Sequence, residues 1–213
     1  MKVLITGFEP FGKETTNPSY EAVRLLPDEI NGAKIVKAEI PVVFRKGGEE
    51  VQKLVRQENP DIVILVGQSG GRSAVTVERI AINCEDCPSG FPDNAGNSPQ
   101  GEKIYEDGAD GYFSNLPIKA MVKKMMDNDV PASVSNTAGT YVCNDLMYHL
   151  LYLIHQEFPA IRGGFIHVPF ATTQKHPNQP SMLLEQISKG LELSIEAALE
   201  NEKDLCEAGG DTH

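Results

Sequence analysis

Positive charge is scarce in this sequence. Nineteen Lys and Arg stand against 30 Asp and Glu, a formal net charge of −11. A phosphate backbone is bound by clustered Lys and Arg, so nucleic acid is a poor candidate partner. Anionic membrane surfaces are disfavoured for the same reason. Long apolar runs are missing too, and none approaches the ~20 residues that span a bilayer. The start, Met1-Lys2-Val3-Leu4-Ile5-Thr6-Gly7, is only briefly apolar and has no small-residue cleavage site, so no signal peptide or membrane segment is expected and the reading is cytoplasmic. Cysteine is sparse: four in 213 residues cannot make a disulfide scaffold, and a reducing compartment would keep them as thiols. What remains is ordinary. Hydrophobic residues are 40% and charged residues 23%, the balance of a soluble globule with one generous domain.

Short apolar runs alternate with helical patterns. Strands are expected at 3–6, 33–43, 61–67, 75–83, 132–136 and 164–168. The run Asp61-Ile62-Val63-Ile64-Leu65-Val66-Gly67 is continuous enough to be covered on both faces. Helices are expected from Asn17-Pro18, with Asn17 as N-cap, and at 47–58, 117–128, 141–158 and 181–199. Between Cys84 and Pro117 periodicity fails, and a loop of that length is usually functional or mobile. The pattern predicts a single-domain open α/β/α three-layer sandwich over residues 1–200 with a largely parallel sheet, followed by a polar, frayed tail over 201–213. Sheets of this kind bind ligands beyond the carboxyl ends of their strands.

Three segments follow strand ends: Gly7-Phe8-Glu9-Pro10-Phe11-Gly12, Gly67-Gln68-Ser69-Gly70-Gly71-Arg72 and Asn136-Thr137-Ala138-Gly139-Thr140-Tyr141-Val142-Cys143. The glycine-rich ones match neither nucleotide-binding fingerprint. Cys143 lies at the first turn of a helix, where amide groups and the macrodipole favour an anion and would acidify a thiol. A lone cysteine is more often a small buried hydrophobe. His167, at the end of a strand, would reach the same sheet edge and could take a thiol proton. Glu78 is a carboxylate in a strand-like run; it could hold that imidazole, or be an edge charge paired with Arg72 or Arg79. Cys84-Glu85-Asp86-Cys87 is an isolated C-x-x-C with neither a second zinc pair nor a helix to open.

Read together, Gly7 to Gly12 with Asn17-Pro18-Ser19, Gly67 to Arg72, Glu78 to Asn83, Pro92 to Gly96, Ser135 to Asn144 and His167-Val168-Pro169-Phe170 resemble pyroglutamyl peptidase type I, from Met1 to about Leu199. The resemblance implies a cytoplasmic homotetrameric cysteine peptidase, free of metal and cofactor, that removes N-terminal pyroglutamate from peptides. It implies Cys143 as nucleophile, His167 as general acid/base and Glu78 as orienting carboxylate. Phe8, Phe11, Asn17, Gln68, Tyr141 and Val142 match the pyroglutamyl pocket. That pocket should be mostly apolar, with a few fixed partners for the lactam NH and C=O. One segment departs from the pattern. The family typically carries Asp-Ala-Arg-Ile before Pro-Asp-Asn, its arginine aiding the oxyanion. Here Asp86-Cys87-Pro88-Ser89-Gly90-Phe91 stands there, longer and without arginine. Gly90 falls at the arginine and Phe91 at the isoleucine that lines the pocket.

Overall fold

The aliphatic runs form strands whose alternate residues enter two separate cores. Val3, Ile5, Ile62, Ile64 and Val66 join one; Leu4, Val63 and Leu65 join the other. This two-sided burial is why the runs read as continuous rather than alternating. The computed structural model describes residues 1–210. In chain order the elements are β1 (Lys2–Phe8), α1 (Pro18–Leu25), β2 (Glu29–Ile30), β3 (Ala33–Ile40), α2 (Lys46–Glu58), β4 (Ile62–Gln68), β5 (Val75–Glu78), β6 (Ile80–Ile82), β7 (Glu85–Asp86), β8 (Gln100–Glu102) and β9 (Gly111–Phe113). They continue with α3 (Ile118–Met126), β10 (Ala132–Ser135), α4 (Val142–Gln156), β11 (Arg162–Val168), β12 (Phe170–Ala171), a 3-10 turn (Thr172–Gln174), β13 (Ser181–Met182) and α5 (Leu184–Glu200).

Seven strands make the main sheet, in the order β10-β5-β11-β4-β1-β3-β2. Pairing is parallel except between β11 and β5 and between β2 and β3. Helices α1, α3 and α5 cover one face through residues such as Val23, Met121 and Leu191. Helices α2 and α4 cover the other through Val51, Val55, Leu146 and Leu150. The three-layer α/β/α arrangement agrees with the pattern read from the sequence.

Boundaries differ in instructive ways. The strand expected over 33–43 stops at Ile40, because Pro41 has no amide to donate. The one expected over 75–83 breaks at Arg79: β5 enters the main sheet, while β6 turns away and pairs with β9. The aperiodic stretch is tied down by that ladder and by a second one, β7 with β8. Up to residue 210 the tail makes hydrogen bonds to the body of the domain. Asp204 Oδ1 accepts the amides of Lys119 and Ala120 at 2.9 and 3.1 Å, capping α3, whose own N-cap is Pro117 and makes no side-chain cap bond. Arg79 Nη2 also holds the Gly209 carbonyl at 2.5 Å. The rest of the tail, 211–213, lies outside the described residues.

Gly7 sets how closely α1 approaches the sheet. A Cβ there would lie 2.4 Å from the Tyr20 amide nitrogen and 2.5 Å from its Cα. Both are backbone atoms of a helix packed on both sides, so they cannot rotate aside. Gly7→Ala is expected to cost about 1–3 kcal/mol, read as a lower midpoint in urea unfolding with an unchanged m-value.

Candidate active site

Glu78, the last residue of β5, is fully buried. Its Oε1 meets His167 Nδ1 at 2.7 Å and Arg72 Nη1 at 2.7 Å. Arg72 also donates to Thr76 Oγ1 and to the Thr137 carbonyl. The antiparallel pairing places His167 opposite Thr76, so Thr76, Glu78 and His167 share one face of the sheet. On its other side, His167 pairs with Gly67 of β4. A Cβ on Gly67 would lie 3.0 Å from Cys143 Sγ and 2.7 Å from Phe165 Cζ. The missing side chain of Gly67 is therefore the space that the sulfur occupies, on the face that carries His167. The Phe165 ring, 4.8 Å from the imidazole centroid to centroid, forms the floor.

The protonation states follow from this packing. Burial pushes the His167 imidazole below its ordinary 6.5, although the Glu78 carboxylate pulls the other way. Burial raises the Glu78 carboxyl, but the hydrogen bond and charge of His167, with Arg72, outweigh it and leave it below 4.5. Burial, then the Glu78 charge, push the Cys143 thiol up to about 12, against the smaller pull of Arg72. The acidified thiol expected from the helix start is thus overturned for the resting site. The macrodipole is present, but the sulfur is out of water beside a carboxylate. At neutral pH the site holds a thiol, a neutral imidazole and a carboxylate. The Nδ1 proton points at Glu78, which leaves Nε2 as an acceptor.

Helix α4 begins without a side-chain cap on Tyr141. The Asn144 and Asp145 amides turn back to the Tyr141 carbonyl. The amides of Val142 and Cys143 have no intrahelical acceptor, so two donors lie beside the thiol.

Phe8, Phe11, Asn17, Gln68, Tyr141 and Val142 line one small cavity with Cys143, of about 40 Å³. Val42 also lines it. It was missed because Ile40-Pro41-Val42-Val43 reads as the plain end of a strand; Pro41, which turns the chain there, was the available signal. The cavity lies where two strands part. Pairing of β1 with β4 ends at Thr6 and Leu65, and the Phe8 amide donates instead to Ser19 Oγ at 2.9 Å. The Ser69 amide donates to Val168 of β11, so the neighbouring Gln68 N–H and C=O point the other way, into the gap. The Asn17 side chain is spent locally: Oδ1 caps Ser19 N at 3.1 Å and Nδ2 holds the Glu9 carbonyl at 2.9 Å. Phe91, expected in the same pocket, does not line the small cavity. It lies in the wall of an adjoining larger cleft.

The family model for pyroglutamyl peptidase matches residues 1–201. The chain belongs to the pyroglutamyl peptidase family. It is 56% identical over 212 residues to a pyrrolidone-carboxylate peptidase of Clostridium perfringens, covering 99% of both chains. The crystal structure of pyroglutamyl peptidase I from Bacillus amyloliquefaciens superimposes with a TM-score of 0.92 at 44% identity, over 96% of this chain and 99% of that one. The pyrrolidone carboxyl peptidase of Thermococcus litoralis gives 0.88 at 38% identity, over 93% of each.

Against that family the altered segment can be placed. Arg72 is held behind Glu78, and Arg79 is spent on Asn136 Oδ1 at 2.8 Å and on Gly209. The two cysteines of the C-x-x-C differ in setting. Cys87 is buried, its Sγ donating to the Phe91 carbonyl at 2.7 Å, while Cys84 is half-buried. Among the described residues no group of three or more His, Cys, Asp and Glu is arranged to hold a metal, and no helix is long and apolar enough to cross a membrane.

Proposed function

We propose that this chain is a cysteine peptidase that hydrolyses the amide bond after an N-terminal pyroglutamyl residue through a thioester. The observation that carries the reading is the Cys143 sulfur lodged against Gly67, at once in the wall of the small cavity and beside the His167–Glu78 pair. A five-membered lactam is a cis amide, with its N–H and C=O on one edge. The Gln68 backbone offers a matching C=O and N–H where β1 and β4 part, and Phe8, Phe11 and Tyr141 offer flat apolar walls.

In the first half-reaction, His167 Nε2 takes the Cys143 proton as the sulfur adds to the pyroglutamyl carbonyl. The Cys143 and Val142 amides receive the oxyanion at the start of α4. The imidazolium, steadied by Glu78, gives its proton to the departing amine as the C–N bond breaks. Water, deprotonated by the same nitrogen, then hydrolyses the thioester and releases pyroglutamate. The loss of one arginine donor is worth about 2.7–4 kcal/mol of oxyanion stabilisation, so this chain is the slower kind of enzyme unless the amides compensate. A cytoplasmic location and a homotetramer belong to the same reading, supported by the family resemblance and, for assembly, by exposed Phe113, Met126 and Leu183.

The test is release of a fluorogenic amine from a pyroglutamyl amide at neutral pH under reducing conditions, with the prolyl amide as control. Discrimination of about 10⁴–10⁵ in kcat/KM is expected, since a proline ring leaves the lactam partners unpaired. A folded chain that binds pyroglutamate without turnover would instead be a lactam-binding protein. Turnover of another small acyl amide in preference would make it a related thiol amidase.

A further inference from the structure

The small cavity opens onto a cleft of about 750 Å³ with which it shares Phe11 and Gln68. Pyroglutamate is the end of its peptide. A ring seated in the small cavity leaves the chain to run outward from the carbonyl, and the adjoining cleft is the space that shares walls with that cavity. The outer walls are Phe91 and Phe170, with Gly70, Gly90 and His176 between and around them.

Both phenylalanines are held there by local structure. The Phe91 amide donates to the Pro88 carbonyl at 3.0 Å, and Gly90 has φ +78°. Pro88-Ser89-Gly90-Phe91 is thus a tight turn with its required glycine at the third position. It closes the segment that lacks the family arginine. The Cys87 thiol grips the Phe91 carbonyl, which fixes the turn and aims the ring outward. Phe91 is 45% exposed, with one edge on Phe11 at 6.2 Å and one on Tyr141 at 5.9 Å. Phe170 sits against Gly70, where a Cβ would come within 2.4 Å of its Cζ, and stacks on His176 at 3.9 Å. The cleft has two aromatic walls: Phe91, nearly half exposed, and Phe170, partly covered by His176.

We propose that this cleft is the subsite for the residue following the pyroglutamate, and that Phe91 and Phe170 make it select an aromatic side chain there. The inference rests on the peptidase reading and adds to it. The segment that gave up an oxyanion donor supplies a contact to the leaving residue. A phenylalanine packed against these walls buries apolar area and gains ring–ring contacts that alanine cannot make.

The experiment compares pyroglutamyl-phenylalanine amide with pyroglutamyl-alanine amide. The native chain is expected to favour the first by about tenfold or more in kcat/KM. Phe91→Ala and Phe170→Ala are each expected to cut that ratio about threefold or more. A ratio is unaffected by partial unfolding, which lowers both substrates together. A native ratio near one, or equal losses on both substrates in both variants, overturns the proposal. Equal losses in Phe91→Ala alone would put that ring in the lactam pocket and overturn its role here. Calorimetric binding of the same amides to Cys143→Ala separates the two readings. An absence of turnover with a retained binding ratio defeats the peptidase and keeps the subsite; a binding ratio of one, or no binding of either amide, defeats the subsite.

Discussion

Cys143→Ser is expected to cut turnover of pyroglutamyl amides on the order of 10⁴-fold or more, with the fold intact. The reason lies in the resting protonation states. A thiol pushed up to about 12 is still within reach of an imidazole at the moment of attack, because the proton leaves as the sulfur bonds to carbon and the charge passes to the carbonyl oxygen. A serine hydroxyl begins several units higher, and its base is weak, since burial holds the His167 imidazole below 6.5. The neighbours suit sulfur as well. The pocket beside Gly67 is lined by the Phe165 ring, and a hydroxyl there finds little to bond. Thermal unfolding should change by no more than about 1 kcal/mol of stability, which separates lost chemistry from lost structure. Activity within tenfold of native would move the nucleophile elsewhere, to Cys84 or Cys87. The same protonation states predict the acid limb. Activity is full while His167 is neutral and falls as pH drops through its pKa, below 6.5.

How much of this was legible in the sequence varied by level. The layers were readable because two-sided burial leaves aliphatic runs such as Ile62 to Val66 unbroken, and strand-end loops carry chemistry in such sheets. The triad candidates were legible as residue types at strand and helix ends. Their meeting was not, because it depends on the antiparallel entry of β5, which brings Glu78 and Thr76 beside His167. No local pattern encodes strand order. The thiol's ionisation was misread for a related reason: a helix start is visible in sequence, but burial of the sulfur against Gly67 and Phe165 is not. The family resemblance puts Phe91 in the lactam pocket, and no local pattern corrects it. The turn at Gly90 carries the ring to the outer cleft. The tail was read as frayed because its composition is polar, yet it supplies the cap that Pro117 lacks.

Glu78→Gln is expected to lower kcat about 10²–10⁴-fold with a smaller change in KM. Oε1 of Glu78 serves two donors at once, His167 Nδ1 and Arg72 Nη1. A glutamine can turn its oxygen to only one set of neighbours and carries no charge. With the amide nitrogen toward the ring, the imidazole proton shifts to Nε2 and the base for Cys143 is lost. With the oxygen toward the ring the tautomer survives, but the imidazolium formed during acylation has no counter-ion. The Arg72 guanidinium, half-buried, loses its own as well, so stability falls too. The pH dependence gives a separate signature. Glu78 has a folded pKa below its ordinary 4.5, so its contribution is complete above about pH 4.5 and is lost as pH falls through the lower folded value. The stability gap between native and variant, read from urea unfolding, should therefore be constant from pH 8 to about pH 7, shift below that as the His167 imidazole, whose pKa Glu78 raises, begins to charge, and narrow once Glu78 itself is protonated. A gap unchanged at pH 3 would mean that size or shape, rather than charge, had been removed. A kcat within tenfold of native would mean that His167 is oriented by something other than Glu78.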